Sequence, residues 1–274
     1  MTGMGWQLSK DADEFLRASG DFLEAKRVEH NFALTFSSMV REDGTRRFAE
    51  PPQFCWLPED GRIVAAAVVV PPVSVTLFGP TADAARSLAK ELIGTRPSVT
   101  HVVGEQDAVG AFVAEWGLDA TGQRGQLLYR LGELRPARPA EGFSRPAEEQ
   151  DFALLAGWAV DGFGDSAEED LRRRMDYRGV WVWEVAGEPV SMATLSRSSA
   201  GLVRIGVVYT PPEHRGHGYA AAITEQVARA ALAAGNDEVL LFTDEDNPTS
   251  NALYQRLGFE LVSRNLWAEI GAAS

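Results

Sequence analysis

The run Val207–Ala222, V-V-Y-T-P-P-E-H-R-G-H-G-Y-A-A-A, decides how the rest of the chain is interpreted. It sets two glycines, Gly216 and Gly218, between a predicted strand that ends near Tyr209 and a predicted helix. A helix N-terminus presents backbone N–H groups that have no partner within the helix, and its dipole favours negative charge. Glycine lets an anion approach the backbone, and Arg215 adds a positive charge. The run therefore predicts a phosphate-binding loop.

Two common nucleotide-binding motifs do not fit this run. A Walker loop requires G-K-[S/T], which does not follow the glycines. The letters G-x-G-x-x-A over 216–221 match the dinucleotide fingerprint, with Asp244 at the end of the next predicted strand. However, Pro211–Arg215 separate the strand from the first glycine, and only thirty residues remain after Asp244. That is too little chain to complete a parallel nucleotide-binding sheet, so both motifs are rejected.

The predicted elements around the loop follow an α+β order. Two helices come first, and a hairpin with a tight turn at Gly187 follows them. Alternation and helical spacing then predict the order β-β-β-α-β-α-β. The predicted strands and helices are 148–164, 166–179, 180–187, 188–197, 201–210, 219–235, 237–244, 248–258 and 259–270.

The N-terminal half repeats this order of elements. Its predicted elements are a hairpin at 53–72, a strand at 73–80, a helix at 81–94 with Thr81 as N-cap, a strand at 99–105, a helix at 107–117 and a strand at 125–134. A linker with Pro136, Pro139 and Pro146 lies between the halves, within 130–151. The chain is thus predicted to be α+β with two tandem lobes, 1–135 and 136–274. The alternative is two α+β domains without shared ancestry.

Charge and composition limit the partners. The formal net charge is −13, from 26 basic and 39 acidic residues, which argues against nucleic acid or a membrane as partner. Cys55 is the single cysteine and has apolar neighbours, so we expect a buried structural thiol in a reducing compartment. The first residues have no apolar signal core. These features predict a cytoplasmic protein.

Two motifs resemble signatures of the GNAT superfamily of N-acyltransferases. R-G-H-G-Y-A resembles its Q/R-x-x-G-x-G/A pyrophosphate motif at Arg215, Gly218 and Ala220. N-P-T-S-N-A-L-Y-Q-R-L-G-F at 247–259 resembles its asparagine-started helix, at the expected separation. The resemblance covers about residues 142–270. The run 207–259 particularly resembles a branch of two-lobed members whose N-terminal lobe is degenerate. It implies two GNAT-like lobes, each a mostly antiparallel mixed sheet with flanking helices, with catalysis in 136–274.

The resemblance implies acetyl-CoA as co-substrate, no metal, and direct transfer of an acetyl group to a primary amine of a small molecule or peptide. The implied coenzyme-binding residues are Val208, Tyr209, Thr210, Arg215, Gly216, His217, Gly218, Tyr219, Ala220, Ala221, Asn247, Ser250 and Asn251. Backbone amides of 208–210 would bind the pantetheine and stabilise the tetrahedral intermediate, an effect of about 3 kcal/mol. Amides of 216–221 would hold the pyrophosphate.

Tyr254 matches the family tyrosine that protonates the departing thiolate, so the resemblance implies that it is the general acid. Asn247 followed by Pro248 is also a typical helix start, a structural role that coexists with a coenzyme contact. Gly258 suits a left-handed C-terminal cap. His214 and His217 have no metal-ligand companions in the sequence and are interpreted as loop residues.

The general base stays open, because the predicted third strand carries neither an acid nor a histidine. Glu184, Glu213 and Asp246 are candidates by proximity in sequence, and a water chain or an already neutral amine is an equal alternative. The missing base also leaves open a non-catalytic acyl-CoA-binding sensor or scaffold. An interaction module that does not use coenzyme A is a third hypothesis.

The N-terminal lobe lacks the arginine and paired glycines at the equivalent place, 78–87, and has no N-P-T-S-N counterpart. It is therefore expected to bind no coenzyme. It would instead form one wall of the acceptor pocket or the interface of a homodimer. Trp6, Phe32, Phe36 and Trp116 could line such a wall, although the hydrophobic core is the favoured place for them.

Overall fold

A computed structural model describes residues 5–46, 48, 50–95, 99–117, 120–164 and 167–270. The chain divides into two compact units. The first holds Met1–Leu127, Asp244–Asp246 and Val262–Ser274, and the second holds Leu128–Thr243 and Asn247–Leu261. The division of the sequence into lobes at 135/136 stays a prediction.

The first unit places a mixed sheet beside four helices. Its elements are β1 (Gln7–Ser9), α1 (Ala12–Ala25), α2 (Asn31–Asp43), β2 (Gln53–Glu59), β3 (Arg62–Val70), β4 (Ser74–Phe78), α3 (Ala82–Thr95), β5 (His101–Gly104), α4 (Gln106–Trp116), most of β6 (Ala120–Leu131) and most of β12 (Phe259–Ile270). The strand order is β1-β2-β3-β4-β5-β12-β6. The β4–β5 pair is parallel, whereas β1–β2, β2–β3, β3–β4 and β12–β5 are antiparallel.

The second unit has the same kind of architecture. Its elements are the end of β6, β7 (Phe143–Pro146), α5 (Phe152–Phe163), α6 (Ala167–Asp176), β8 (Val180–Val185), β9 (Glu188–Leu195), β10 (Leu202–Tyr209), α7 (Tyr219–Ala233), β11 (Glu238–Asp244), α8 (Pro248–Arg256) and the start of β12. The strand order is β6-β11-β10-β9-β8-β7. Strands β10 and β11 are parallel, and the pairs from β10 to β7 are antiparallel.

The predicted repeat of β-β-β-α-β-α-β is confirmed, and the two hairpins turn in the same way. Asp60 and Gly61 have φ of 48° and 76°, and Ala186 and Gly187 have φ of 52° and 89°. A two-residue turn with positive φ at both positions matches the right-handed twist of the flanking strands. In each unit the third strand then pairs parallel with the strand after the helix, at Ser74↔His101 and at Leu202↔Glu238.

Four helices and strands were not predicted from the sequence, the first of them the short strand β1. Helices α1 and α2 precede the repeat, and β7 lies inside the predicted linker, paired with β8. Strand β7 ends at Pro146, which is compatible with a strand at the sheet edge because no further ladder bond needs the missing proline N–H. The linker is therefore shorter than predicted. Its remainder is held to α7, where the Ala137 backbone N–H donates to the Glu225 carboxylate at 3.0 Å.

Most of the aromatic residues that the sequence offered for the wall of an acceptor pocket lie in or against the hydrophobic core of the first unit. Trp6 is 6% exposed and belongs to the core formed by β2–β5, α3 and α4, and Trp116 packs against that core. Phe36 is buried and stacks on Phe32 at 5.3 Å between ring centroids. Cys55 is fully buried, and burial raises the pKa of its thiol to about 12. The prediction of a structural thiol is confirmed. None of the described helices is long and apolar enough to cross a membrane.

Candidate active site

The N-terminus of α7 is open to solvent and has no side-chain cap. Gly218 is the N-cap residue with φ 86° and ψ 0°, and the fully described first turn contains no acidic residue. Gly216 also has positive φ, 83°. A Cβ at Gly216 would meet nothing within 4 Å, and one at Gly218 would meet only Ala140 Cβ, at 4.0 Å. The glycines are therefore needed for backbone conformation, and the space beside them is open.

The loop before α7 is fixed by its own hydrogen bonds. A short 3-10 helix spans Pro212–His214 and begins at a proline. The Arg215 side chain donates from Nε to the Thr210 carbonyl at 3.0 Å, and the residue is exposed. The Ser191 hydroxyl donates to the Tyr209 carbonyl at 3.0 Å and lies 2.8 Å from the Thr210 hydroxyl. The start of the loop is thus tied to the neighbouring strand, which orients Arg215 beside the helix start.

Strand β10 separates from β11 before it ends. Its parallel pairing with β11 runs from Leu202↔Glu238 to Ile205↔Leu241, whereas β10 continues to Tyr209. The register with β9 shifts between Gly206 and Tyr209. Val207 has φ of 45°, which is strained for a β-branched residue. The bulge turns this last part of β10 out of the regular ladder, in the segment proposed from the sequence to bind pantetheine.

Helix α8 begins and ends as the sequence predicts. The Asn247 side chain accepts a hydrogen bond from the Ser250 backbone N–H at 3.0 Å, and Pro248 occupies the first helical position. Gly258 has φ of 95°, and a Cβ there would lie 1.9 Å from the carbonyl oxygen of Glu133. The capping role of Asn247 and the left-handed conformation of Gly258 are confirmed. Together they fix the helix that carries Tyr254, Ser250 and Asn251.

Tyr254 is suited to donate a proton. It is 8% exposed and lies against Phe259 in an edge-on contact at 6.0 Å. Burial raises the pKa of its hydroxyl to about 12, so the group stays protonated at neutral pH. Among the residues that the structure describes, the hydroxyl has no hydrogen-bond partner. A protonated donor of this kind is what a leaving thiolate needs.

The acids named as candidate bases have different surroundings. The Glu184 carboxylate accepts from Arg145 Nε at 2.6 Å and is held in this ion pair at the β7–β8 edge. Glu213 is exposed on the short 3-10 helix, and Asp246 lies in the first unit. His217 lies in the loop before α7, and its ring stacks on the Tyr219 ring with 5.4 Å between centroids. Within the described ranges, no group of three or more metal-ligating side chains is close enough to hold a metal ion.

One hydroxyl–carboxylate pair beside the candidate site was missed by sequence reasoning. Tyr209 was chosen for its backbone, yet its side-chain hydroxyl donates to the Asp161 carboxylate at the C-terminal end of α5. The two residues are 48 positions apart, and neither belongs to a motif whose side chains carry chemistry. The tyrosine at the end of a mostly aliphatic strand was the signal that the sequence offered.

The equivalent helix of the first unit begins with a side-chain cap and an acidic first turn. The Ala84 backbone N–H donates to the Thr81 hydroxyl at 3.2 Å, which confirms the predicted N-cap. Asp83 adds a negative charge in the first turn and pairs with Arg86. In α4 the residue four positions before the terminal glycine, Gly117, is Val113, whereas Tyr254 stands at that place in α8. The first unit therefore repeats the fold without these groups.

The sequence model of the Acetyltransferase (GNAT) family matches residues 144–259. The chain is also similar to a mycothiol acetyltransferase of Mycolicibacterium vanbaalenii, with 27% identity over 184 residues. That match covers 60% of this chain and 61% of the length of the relative.

Solved structures support the fold. A Drosophila protein solved by a structural genomics consortium has a TM-score of 0.72 and 15% identity, over 98% of this chain and 99% of that one. A tandem GNAT protein from the clavulanic acid biosynthesis pathway has a TM-score of 0.57 and 15% identity, over 98% of this chain and 100% of that one. At such identities the likeness concerns the fold alone, which this chain shares with the tandem GNAT protein over almost its whole length.

Proposed function

We propose that this chain transfers an acetyl group from acetyl-CoA to a primary amine, because the model of the Acetyltransferase (GNAT) family matches residues 144–259. The observation that carries the proposal is the start of α7. Two glycines with positive φ leave its backbone amides without a side-chain cap, and Arg215 stands beside them. Such a terminus attracts an anion through its N–H groups and its dipole.

The pyrophosphate of acetyl-CoA is held by the residues around this helix start. The binding groups are the Arg215 side chain and the backbone amides of Gly216, His217, Gly218, Tyr219, Ala220 and Ala221. The open space beside both glycines supports this assignment, since no side chain there competes with the ligand. Stacking of the His217 ring on the Tyr219 ring stabilises the conformation of the loop.

The pantetheine arm is held by the last residues of β10. Val208, Tyr209 and Thr210 bind it through backbone groups, and the bulge together with the early end of the β10–β11 pairing supports this role. An amide of this segment stabilises the oxyanion of the tetrahedral intermediate. Asn247, Ser250 and Asn251 add contacts from the first turns of α8.

Tyr254 is the general acid. The acceptor amine attacks the thioester carbonyl directly, and the C–S bond breaks as the intermediate collapses. Tyr254 gives its proton to the departing thiolate and recovers one from solvent. The buried hydroxyl with a pKa of about 12 supports this role, because it is protonated throughout the neutral range. No covalent intermediate with the protein is formed.

The acceptor is a small-molecule or peptide amine. The relative at 27% identity is named a mycothiol acetyltransferase, so small-molecule amines are tested before peptides. A non-catalytic acyl-CoA-binding sensor is the second candidate. It is favoured by one observation, that β10, Leu202–Tyr209, has neither an acidic residue nor a histidine.

Two measurements test the proposal in turn. Calorimetry and thermal shift with acetyl-CoA measure binding, and we expect a rise in melting temperature because the ligand binds the folded state. Release of free thiol is then followed with a panel of primary amines: ethanolamine, tyramine, glucosamine, glycine methyl ester and spermidine. Thiol release that depends on an amine supports the transferase. Binding without release for any amine indicates the sensor, and the absence of binding to the folded protein contradicts both.

A further inference from the structure

A hydroxyl–carboxylate pair lies at the end of β10. The Tyr209 hydroxyl donates to Asp161 Oδ2, and the Asp161 residue itself is exposed near the C-terminal end of α5. The tyrosine is 9% exposed, so its ring is enclosed while the carboxylate that it contacts is reachable from outside. The pair is therefore fixed on one side and accessible on the other.

Helix α5 is shaped to hold this tyrosine. The rings of Trp158 and Tyr209 lie 6.1 Å apart between centroids. A Cβ at Gly162 would lie 2.8 Å from Tyr209 Cδ2 and 3.2 Å from Cε2, so a larger residue there would push the ring away. Residues three and four apart share one helix face, which brings Trp158, Asp161 and Gly162 together against the strand end. The contact is thus a packed arrangement of two elements.

The charges around the tyrosine favour a fixed hydrogen bond. The bond to Asp161 is the main cause that raises the pKa of the Tyr209 hydroxyl. Arg215 and Glu213, from the loop after β10, act on it with opposite signs. The protonated Tyr209 hydroxyl donates to Oδ2 and thereby orients the Asp161 carboxylate. Among the described residues no partner is bonded to Oδ1, which leaves this oxygen able to accept a proton.

The pair adjoins the proposed reacting centre. Tyr209 lies between Val208 and Thr210, whose backbone groups are proposed to bind the pantetheine arm. Strand β10 offers no base of its own, and Glu184 is already held by Arg145. An acceptor amine that reaches the thioester from the α5 side would pass the exposed carboxylate. Among the residues that the structure describes, no other candidate base is joined by a hydrogen bond to a residue of this segment.

We infer that Asp161 is the base that takes the proton of the acceptor amine and that Tyr209 is a positioning residue for its carboxylate. The inference rests on the proposed acetyl transfer. The lone pair of the neutral amine forms the new C–N bond, and the nitrogen becomes positively charged. Its proton then passes to Asp161 Oδ1 and on to solvent, while the C–S bond breaks and Tyr254 supplies the proton for the sulfur. Net proton count is unchanged.

The test measures steady-state kinetics with the fastest amine of the panel named above. Loss of a general base costs about 100-fold or more in rate, so Asp161→Asn is expected to lower kcat by at least that factor. The KM for acetyl-CoA and the melting temperature should stay at wild-type values. Asp161→Glu should recover part of the rate. Added formate should restore activity to Asp161→Ala, which a purely structural role of the residue would not allow.

Tyr209→Phe tests the positioning role. It keeps the ring between Trp158 and α5 and removes only the donor, and one lost hydrogen bond corresponds to about a fivefold effect. We expect kcat to fall by that factor with the KM for acetyl-CoA unchanged, and no further loss in the double variant with Asp161→Asn. Glu213→Gln, which removes the other nearby carboxylate, is compared in parallel.

The outcomes separate this inference from the proposed function. If wild-type protein acetylates an amine and Asp161→Asn does so at the same kcat, the base assignment is wrong and the transferase stands. A large loss in Glu213→Gln with none in Asp161→Asn overturns the assignment in favour of that residue. If wild-type protein binds acetyl-CoA and acetylates none of the amines, the proposed transfer and this inference both fail.

Discussion

The helices α3 and α7 occupy the same place in the two repeats and start in opposite ways. Helix α3 begins three residues after β4, with a threonine cap and Asp83 in its first turn. Helix α7 begins nine residues after Tyr209, at a left-handed glycine without a side-chain cap. In α3 the N-terminal amides are partly satisfied by the chain itself, whereas in α7 no side chain caps them. The same strand–helix unit thus has a capped helix start in one copy and, in the other, an uncapped start that is proposed to bind an anion.

The strands before these helices differ as well. Strand β4 pairs with β3 in an unbroken register from Ala66↔Phe78 to Val70↔Ser74. Strand β10 contains the bulge between Gly206 and Tyr209, with Val207 in a strained conformation. Bulges often re-aim a strand beside an active site. The comparison teaches that irregular backbone distinguishes the strand proposed to bind the pantetheine arm from its regular counterpart.

The largest effect is expected from Tyr254→Phe. The change removes the hydroxyl from α8, so that this position, like Val113 at the same place in α4, has no proton donor. Loss of a general acid lowers kcat by about 100-fold or more, with the affinity for acetyl-CoA nearly unchanged. Because the pKa is about 12, the protonated form is present below that pH, and titration of Tyr254 should not reduce the wild-type rate between pH 7 and 10. A stopped assay of thiol release measures both the kcat of the variant and the pH dependence of the wild-type rate.

The matched control is Tyr177→Phe, whose hydroxyl donates to the Leu195 carbonyl at 3.2 Å in the same unit. Its kcat should stay close to wild type. Equal rates in the two variants would mean that the hydroxyl of Tyr254 is not the acid.

Gly218→Glu gives the start of α7 the negative charge that α3 carries. Like charges placed together cost several kcal/mol, so about 3 kcal/mol, or a hundredfold loss of acetyl-CoA affinity, is expected. Gly218→Gln has the same backbone strain and nearly the same volume without the charge. Calorimetry on both folded variants isolates the electrostatic part. A Kd for the glutamate variant equal to that of the glutamine variant would contradict anion binding at this helix.

Gly258 and Gly117 end the corresponding helices α8 and α4, and their surroundings differ. A Cβ at Gly258 would collide with the Glu133 carbonyl, whereas one at Gly117 would meet nothing within 4 Å. Both have positive φ, which costs about 1 kcal/mol for alanine. Adding the collision, we expect Gly258→Ala to lower the free energy of unfolding by about 3 kcal/mol and Gly117→Ala by about 1 kcal/mol. Urea denaturation of both variants checks the difference, and equal losses would remove the steric argument.

The smallest expected effect concerns the cap of α3. Thr81→Ala removes a side-chain cap and should cost about 1 kcal/mol of unfolding free energy, whereas Thr81→Ser should retain most of it. Neither change should alter the Kd for acetyl-CoA, because α3 is expected to bind none. A changed Kd in the alanine variant would show that the first unit takes part in coenzyme binding.

The sequence allowed the repeat, the glycine loop and both helix caps to be predicted, since each depends on local rules for glycine, proline and capping side chains. Short β7 was missed because Pro146 and the two prolines before the strand indicate a linker, and its pairing with β8 depends on a strand far along the chain. The Asp161–Tyr209 contact was missed for the same reason. The contact depends on the packing of α5 against β10. The reason for a glycine at position 162 becomes clear only in the structure, where the Tyr209 ring lies beside it.

The division of β12 between the two units affects how the protein can be made. Its residues from Val262 onward belong to the first unit, where Leu266–Glu269 pair with β5. They leave the ribosome after every element of the second unit. During synthesis the N-terminal sheet therefore forms before β12 is available to pair with β5, and cutting the chain at the linker would separate β5 from this partner strand.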